Sequence, residues 1–284
     1  MKSIVLTIIS PKELPAPPKS GVLDFFKRPF PWLADARAEY LRVFTAVSCK
    51  FSYSDQVNGQ AVMKPYPRAL IDAAGCERHA WEYLVFSNED EARAVGTKMG
   101  QLCFKYEIQC FWANAEAGVA GTGTYPRYAN PYKNLLAFIR AFRAAAPTYT
   151  KLAYNGFSWS RTSQETGARV LHDAIMIKLF DIWSPMNYGT DPRSIEHFWS
   201  TKCFKYLKPC PRTPVIPTVG VGRVDKSGAV WGDWEDLRTL LLTTPVDGVN
   251  FFFGNGAKAQ MLEGNPRHAP LVQAAVQLRK DWGA

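Results

Sequence analysis

The chain has 284 residues, 47% of them hydrophobic, which is enough to bury a full core, and its length suits a single domain spanning 1–284. No run approaches the roughly 18 to 20 consecutive apolar residues of a membrane span, so no membrane span is expected. The net charge of +9 admits an anionic partner, yet Lys and Arg are scattered and no nucleic-acid motif accompanies them. Plain solubility accounts for the charge equally, a polyanionic polysaccharide suits it at least as well as nucleic acid, and nucleic acid is not expected as a partner.

In chain order, β-type runs of about five to nine residues alternate with helical patterns. The strand expectations are Ser3 to Ile9, Val43 to Phe51, Arg78 to Phe86, Ile108 to Glu116, Lys151 to Phe157, Asp181 to Tyr188, Val215 to Val221 and Gly248 to Phe253. The helix expectations are Trp32 to Leu41, Pro67 to Ala74, a helix opened by Ser87-Asn88-Glu89-Asp90, Asn130 to Ala146, Arg169 to Leu179, Pro192 to Tyr206, Trp234 to Thr243 and Pro270 to Trp282. Reading the apolar N-terminus as a strand leaves no convincing signal peptide. Eight strand-helix units predict an α/β fold, a single (β/α)8 TIM barrel. Gly118, Gly121 and Gly123 match neither a dinucleotide fingerprint nor a P-loop and are read as a rim loop, and no internal repeat divides the chain.

The six cysteines, Cys49, Cys76, Cys103, Cys110, Cys203 and Cys210, form no CxxC pair. Most are expected as reduced core residues. The four histidines, His79, His172, His197 and His268, stand apart, so neither a metal site nor a cofactor is expected.

In such a barrel the active site lies at the C-terminal strand ends. The fourth strand ends Trp112-Ala113-Asn114-Ala115-Glu116, and alternation turns Asn114 and Glu116 to one face. If that face is the lumen, desolvation raises the Glu116 pKa and fits it for general acid work on a glycosidic oxygen. The competing reading is an ordinary polar strand end. The sixth strand places Tyr188 at its end, where a phenol stabilises a substrate carbonyl. Trp112, Asn155, Trp159, Asn187, Asn250 and Phe253 complete a mouth of rings and amides of the kind sugars bind, although such rings are often simply core. Among the other carboxylates, Glu82 requires a partner if it is mid-strand, Asp55, Asp191 and Asp225 read as loop residues, and Asp181 and Asp247 begin strands at the barrel floor.

This constellation resembles the barrel glycosidases that include the family-18 chitinases, the endo-β-N-acetylglucosaminidases and the family-25 lysozymes. The chitinase pattern ends strand four D-x-x-D-x-D-x-E and carries M-x-Y-D on strand six. Here Glu116 takes the acid position and Met186-Asn187-Tyr188 the strand-six position, whereas Gln109, Trp112, Asn114 and Gly189 stand where the pattern has Asp. Asn two residues before the acid is similar to one endo-β-N-acetylglucosaminidase family, in which the amide orients the 2-acetamido group that attacks the anomeric carbon. The lysozyme likeness lies in layout: a second strand ending at Lys50, a Leu70-Ile71-Asp72-Ala73-Ala74-Gly75 helix end, then the N-x-E strand.

The resemblance implies a hydrolase of an N-acetylhexosamine-containing polysaccharide, peptidoglycan preferred over chitin, with Glu116 as general acid/base, Asn114 as orienter and Tyr188 as stabiliser. The replaced acidic positions favour a different class, an inactive barrel serving as a carbohydrate-binding or structural module of a larger phage or cell-surface assembly. A third reading is another barrel hydrolase or lyase using Glu116 differently. The first two place the chain on a phage particle or at the cell wall.

Overall fold

The computed structural model describes residues 2–8, 41–51, 54–57, 60–63, 66–84, 86, 88–114, 131–157, 179–187, 213–219, 223–224, 230–231, 234–243, 246–252 and 268–283. The strands are β1 (Ser3–Ile8), β2 (Ala46–Lys50), β3 (Ser54–Val57), β4 (Gln60–Met63), β5 (Glu77–Tyr83), β6 (Cys110–Asn114), β7 (Lys151–Phe157), β8 (Ile182–Asn187), β9 (Thr218–Val219), β10 (Arg223–Val224), β11 (Val230–Trp231) and β12 (Gly248–Phe252). The helices are α1 (Arg68–Ala73), α2 (Glu89–Tyr106), α3 (Pro131–Ala145), α4 (Trp234–Thr243) and α5 (His268–Asp281). The helices expected over residues 32–41, 169–179 and 192–206 lie almost wholly outside the described residues.

Eight parallel strands close into a barrel in the order β1-β2-β5-β6-β7-β8-β9-β12, and β12 returns to β1 through Ser3↔Gly248 to Thr7↔Phe252. The expected eight-stranded α/β barrel is therefore the observed one. Two antiparallel hairpins, β3–β4 and β10–β11, follow β2 and β9 and were not foreseen as strands. Of the seventh barrel strand, expected over Val215 to Val221, the described residues show a ladder at Thr218–Val219 with an isolated bridge at Val215 before it, and residues 220–221 lie outside the described residues. Pro217 has no N–H to donate, so the ladder is interrupted immediately before Thr218.

Alternation along the strands divides the core in two. Ile4, Leu6, Val47, Ala80, Phe111, Ala113, Leu152, Tyr154, Trp183 and Phe251 pack outward with helix residues such as Met99, Phe138, Phe142 and Leu278. Val5, Ala46, Trp81, Cys110, Trp112, Ala153, Ile182 and Ile216 form a separate cluster made only of strand residues and of Ile216, two residues before β9, and this cluster fills the lumen. Cys49, Cys76, Cys103 and Cys110 are free and buried, whereas Cys203 and Cys210 lie outside the described residues.

The barrel floor is fastened by one device used four times. Thr45, Gln109, Asp181 and Asp247 each precede an even-numbered barrel strand, and each donates its backbone N–H at 2.8 Å to the carbonyl of Ile4, Arg78, Leu152 or Val215 on the odd-numbered strand before it. Each side chain then accepts the N–H of that same residue, at 2.8 Å for Thr45 Oγ1, 2.6 Å for Gln109 Oε1, 2.6 Å for Asp181 Oδ2 and 2.8 Å for Asp247 Oδ2. These side chains satisfy backbone donors where the ladder begins. Asp181 and Asp247 are thus floor residues.

Candidate active site

Above the apolar plug the lumen turns polar. Two residues beyond Val5, Ala46, Trp112, Ala153, Ile182 and Ile216 stand Thr7, Ser48, Asn114, Asn155, Ser184 and Thr218, all buried, and Asn250 of β12 joins them. Alternation over one more pleat carries each strand from plug to polar ring.

Thr218 is the hub of this ring. Its Oγ1 accepts from Asn155 Nδ2 at 2.7 Å and from Asn250 Nδ2 at 3.0 Å. With both lone pairs engaged, its single proton goes to Ser184 Oγ at 2.7 Å. Asn250 Oδ1 in turn accepts the Thr7 hydroxyl at 2.7 Å, which fixes the orientation of that amide. Turning Nδ2 of Asn155 toward Thr218 leaves its Oδ1 buried with no donor among the described residues, and Ser48 Oγ likewise meets no partner among them.

Trp112 lies below the ring, 1% exposed, and its indole N–H donates to His79 Nδ1 at 3.2 Å. The other nitrogen, His79 Nε2, donates to Glu77 Oε2 at 3.1 Å, so the ring is the neutral Nε2–H tautomer. Burial holds the His79 pKa below its ordinary value, partly offset by Glu77. The hydrogen bond from His79, opposed by partial burial, holds the Glu77 carboxyl below the usual range.

At the rim, Lys50, Tyr83, Asn114 and Phe252 close β2, β5, β6 and β12. Trp81 packs edge-on against Tyr83 at 5.2 Å and Phe252 at 5.9 Å. Glu82 is buried and has the partner its strand position requires: Lys50 Nζ lies 3.6 Å from its Oε1.

Of the residues singled out from sequence, Asn114, Asn155 and Asn250 come together on the inner face, Asn114 and Asn155 in direct register. Trp112 is committed to His79, and Asn187 ends β8. Glu116, Tyr188, Trp159 and Phe253 lie outside the described residues. The reading missed Thr7, Ser48, Ser184 and Thr218, although period-two alternation toward each strand end would have found them. Among the described residues no group of three His, Cys, Asp or Glu is placed to hold a metal, and no helix is long and apolar enough to cross a membrane.

No family model matches the chain. No curated protein matches it in sequence. Solved structures do share its fold. The C-terminal domain of a putative chitinase from Desulfitobacterium hafniense is 9% identical with a TM-score of 0.59, over 98% of this chain and 99% of that one. The endo-β-N-acetylglucosaminidase of Cordyceps militaris is 7% identical with a TM-score of 0.55, over 97% and 91%. The spore cortex-lytic enzyme SleL of Bacillus cereus is 11% identical with a TM-score of 0.55, over 98% and 75%. At these identities the likeness establishes the TIM-barrel fold that glycoside hydrolases also use.

Proposed function

We propose that the chain is a glycoside hydrolase acting on an N-acetylhexosamine-containing polysaccharide, with peptidoglycan preferred over chitin. The observation that carries this reading is Asn114 at the C-terminal end of β6, on the lumen face beside Asn155 and above a buried hydroxyl and amide network. Glu116 follows two residues later in the sequence. The fold neighbours named for N-acetylglucosaminidase and spore-cortex-lytic enzymes, and the net charge of +9, support the substrate class.

In the proposed reaction Glu116 protonates the glycosidic oxygen as the bond to the anomeric carbon breaks. The substrate's acetamido oxygen forms the new bond to that carbon, with Asn114 orienting the amide and Tyr188 stabilising the charge that develops on it. Water, deprotonated by Glu116, then opens the cyclic intermediate and restores the acetamide. Substrate assistance requires the acetyl group, so the test is cleavage of N-acetylated against de-N-acetylated polymer. Cleavage confined to the acetylated polymer is expected, and equal cleavage of both removes the acetamido step.

A second reading, an inactive carbohydrate-binding or structural module of a phage or cell-surface assembly, has its own observation. Gln109 and Trp112, at positions that are Asp in the chitinase pattern, here serve as floor clamp and indole donor to His79. Absence of cleavage with retained glycan binding favours this second reading.

A further inference from the structure

We propose that Lys50 is the specificity-determining cation of the barrel mouth and that the glycan it selects carries a carboxylate on the sugar beside it. This inference rests on the reading of the mouth as a glycan site and names the charge of that glycan.

Lys50 is the last residue of β2, and its register with Trp81 turns it to the lumen side. Its ammonium lies 4.6 Å from the centre of the Tyr83 ring and 5.4 Å from that of Trp81. Ring faces hold a cation in place without consuming its N–H donors. Its carboxylate neighbour, Glu82 Oε1, is 3.6 Å away, beyond the roughly 2.7–2.9 Å of a hydrogen-bonded ion pair. That oxygen also accepts the Tyr83 N–H at 3.0 Å, so its electron density is shared. The Lys50 side chain is 20% exposed, and the partly buried Tyr83 ring beside it, with Phe252 packed on Trp81, offers the apolar surface on which a sugar face packs. A cation fixed by rings, loosely matched in charge and open at a strand end is suited to receive a second carboxylate. A compact ammonium recognises such a group as a point charge, with no demand for two-pronged geometry. The chain's net charge of +9 draws the same class of polymer toward the mouth.

The plain alternative is that Lys50 only neutralises Glu82, and the two differ in what Glu82→Gln does. The probes are N-acetylmuramic acid and its methyl ester, which differ in one charge and contain no glycosidic bond to cleave. They are titrated into the native chain, Lys50→Met, Lys50→Arg and Glu82→Gln by nuclear magnetic resonance, with folding checked by circular dichroism. The native chain should bind the acid about tenfold more tightly than the ester, the gap of one charge-assisted contact. Lys50→Met should abolish that preference, Lys50→Arg should keep it, and Glu82→Gln, which frees the ammonium, should widen it. Equal binding of acid and ester by the native chain, no binding of either, or a preference that Glu82→Gln leaves unwidened overturns the proposal. Because no cleavage is read, a chain that releases reducing ends without this preference keeps the glycosidase reading and loses the role of Lys50. A chain with the preference and no cleavage does the reverse.

Discussion

Thr218 carries more of the lumen than its size suggests, because one hydroxyl satisfies the amides of Asn155 and Asn250 and passes its proton to Ser184. Thr218→Val keeps the shape and strands both amide donors, and should lower unfolding stability in urea by about 2–3 kcal/mol. Thr218→Ser, which keeps the hydroxyl, should cost less than about 1 kcal/mol. His79 sets the acid limit at the same scale. Its pKa is depressed by burial from the ordinary 6.5, so the unfolded chain binds the proton first. Stability is therefore full above about pH 6.5 and falls as pH drops toward the folded-state value, and Glu77, depressed from 4.5, adds a further loss below that point. Urea midpoints at about pH 5 and about pH 7 should differ in the native chain, and His79→Gln should flatten that difference. A histidine flanked by Arg78 and Ala80 gave no sign of this in sequence, because the indole that engages its Nδ1, Trp112, comes from the next strand.

At the scale of elements, α2 and α3 meet through glycine. A methyl group added at Gly96 would strike the Phe138 carbonyl of α3, and one at Gly100 would sit 2.7 Å from the Ala145 Cβ. Alanine is the better helix former by about 1 kcal/mol, yet overpacking backbone against backbone costs about 1–3 kcal/mol. Gly96→Ala should therefore destabilise the chain in thermal melts despite the gain in propensity. The end of α2 is similarly specific: Glu107 caps it in the left-handed region at φ 52, while its carboxylate binds Arg68 and Arg78. The sequence made α2 legible through Asn88, whose side chain accepts the Glu91 N–H as its capping pattern implies. It did not mark Gly96 and Gly100 as contact points, since the clash that requires glycine belongs to α3.

For the whole molecule, alternation of strand and helix patterns was enough to read the barrel, because each pattern is local. The floor clamps were not readable in the same way. Thr45, Gln109, Asp181 and Asp247 do one task with three residue types, so the fourfold geometry leaves no repeat in the sequence. The charged members bind hardest; Asp247→Ala should cost about 1.5–3 kcal/mol in urea unfolding. The candidate site was half legible. Asn114, Asn155 and Asn250 declared themselves as amides at strand ends, whereas the Lys50 rim and the Thr218 hub depend on neighbours brought together only by closure.

The claim that this closed barrel cleaves glycans is met most directly by release of reducing ends from purified peptidoglycan and from chitin oligosaccharides, comparing the native chain with Glu116→Gln between about pH 4 and about pH 8. Release by the native chain, faster from peptidoglycan, should fall about a hundredfold or more in a folded Glu116→Gln variant. No release from either polymer, or an unchanged rate in the variant, contradicts the assignment.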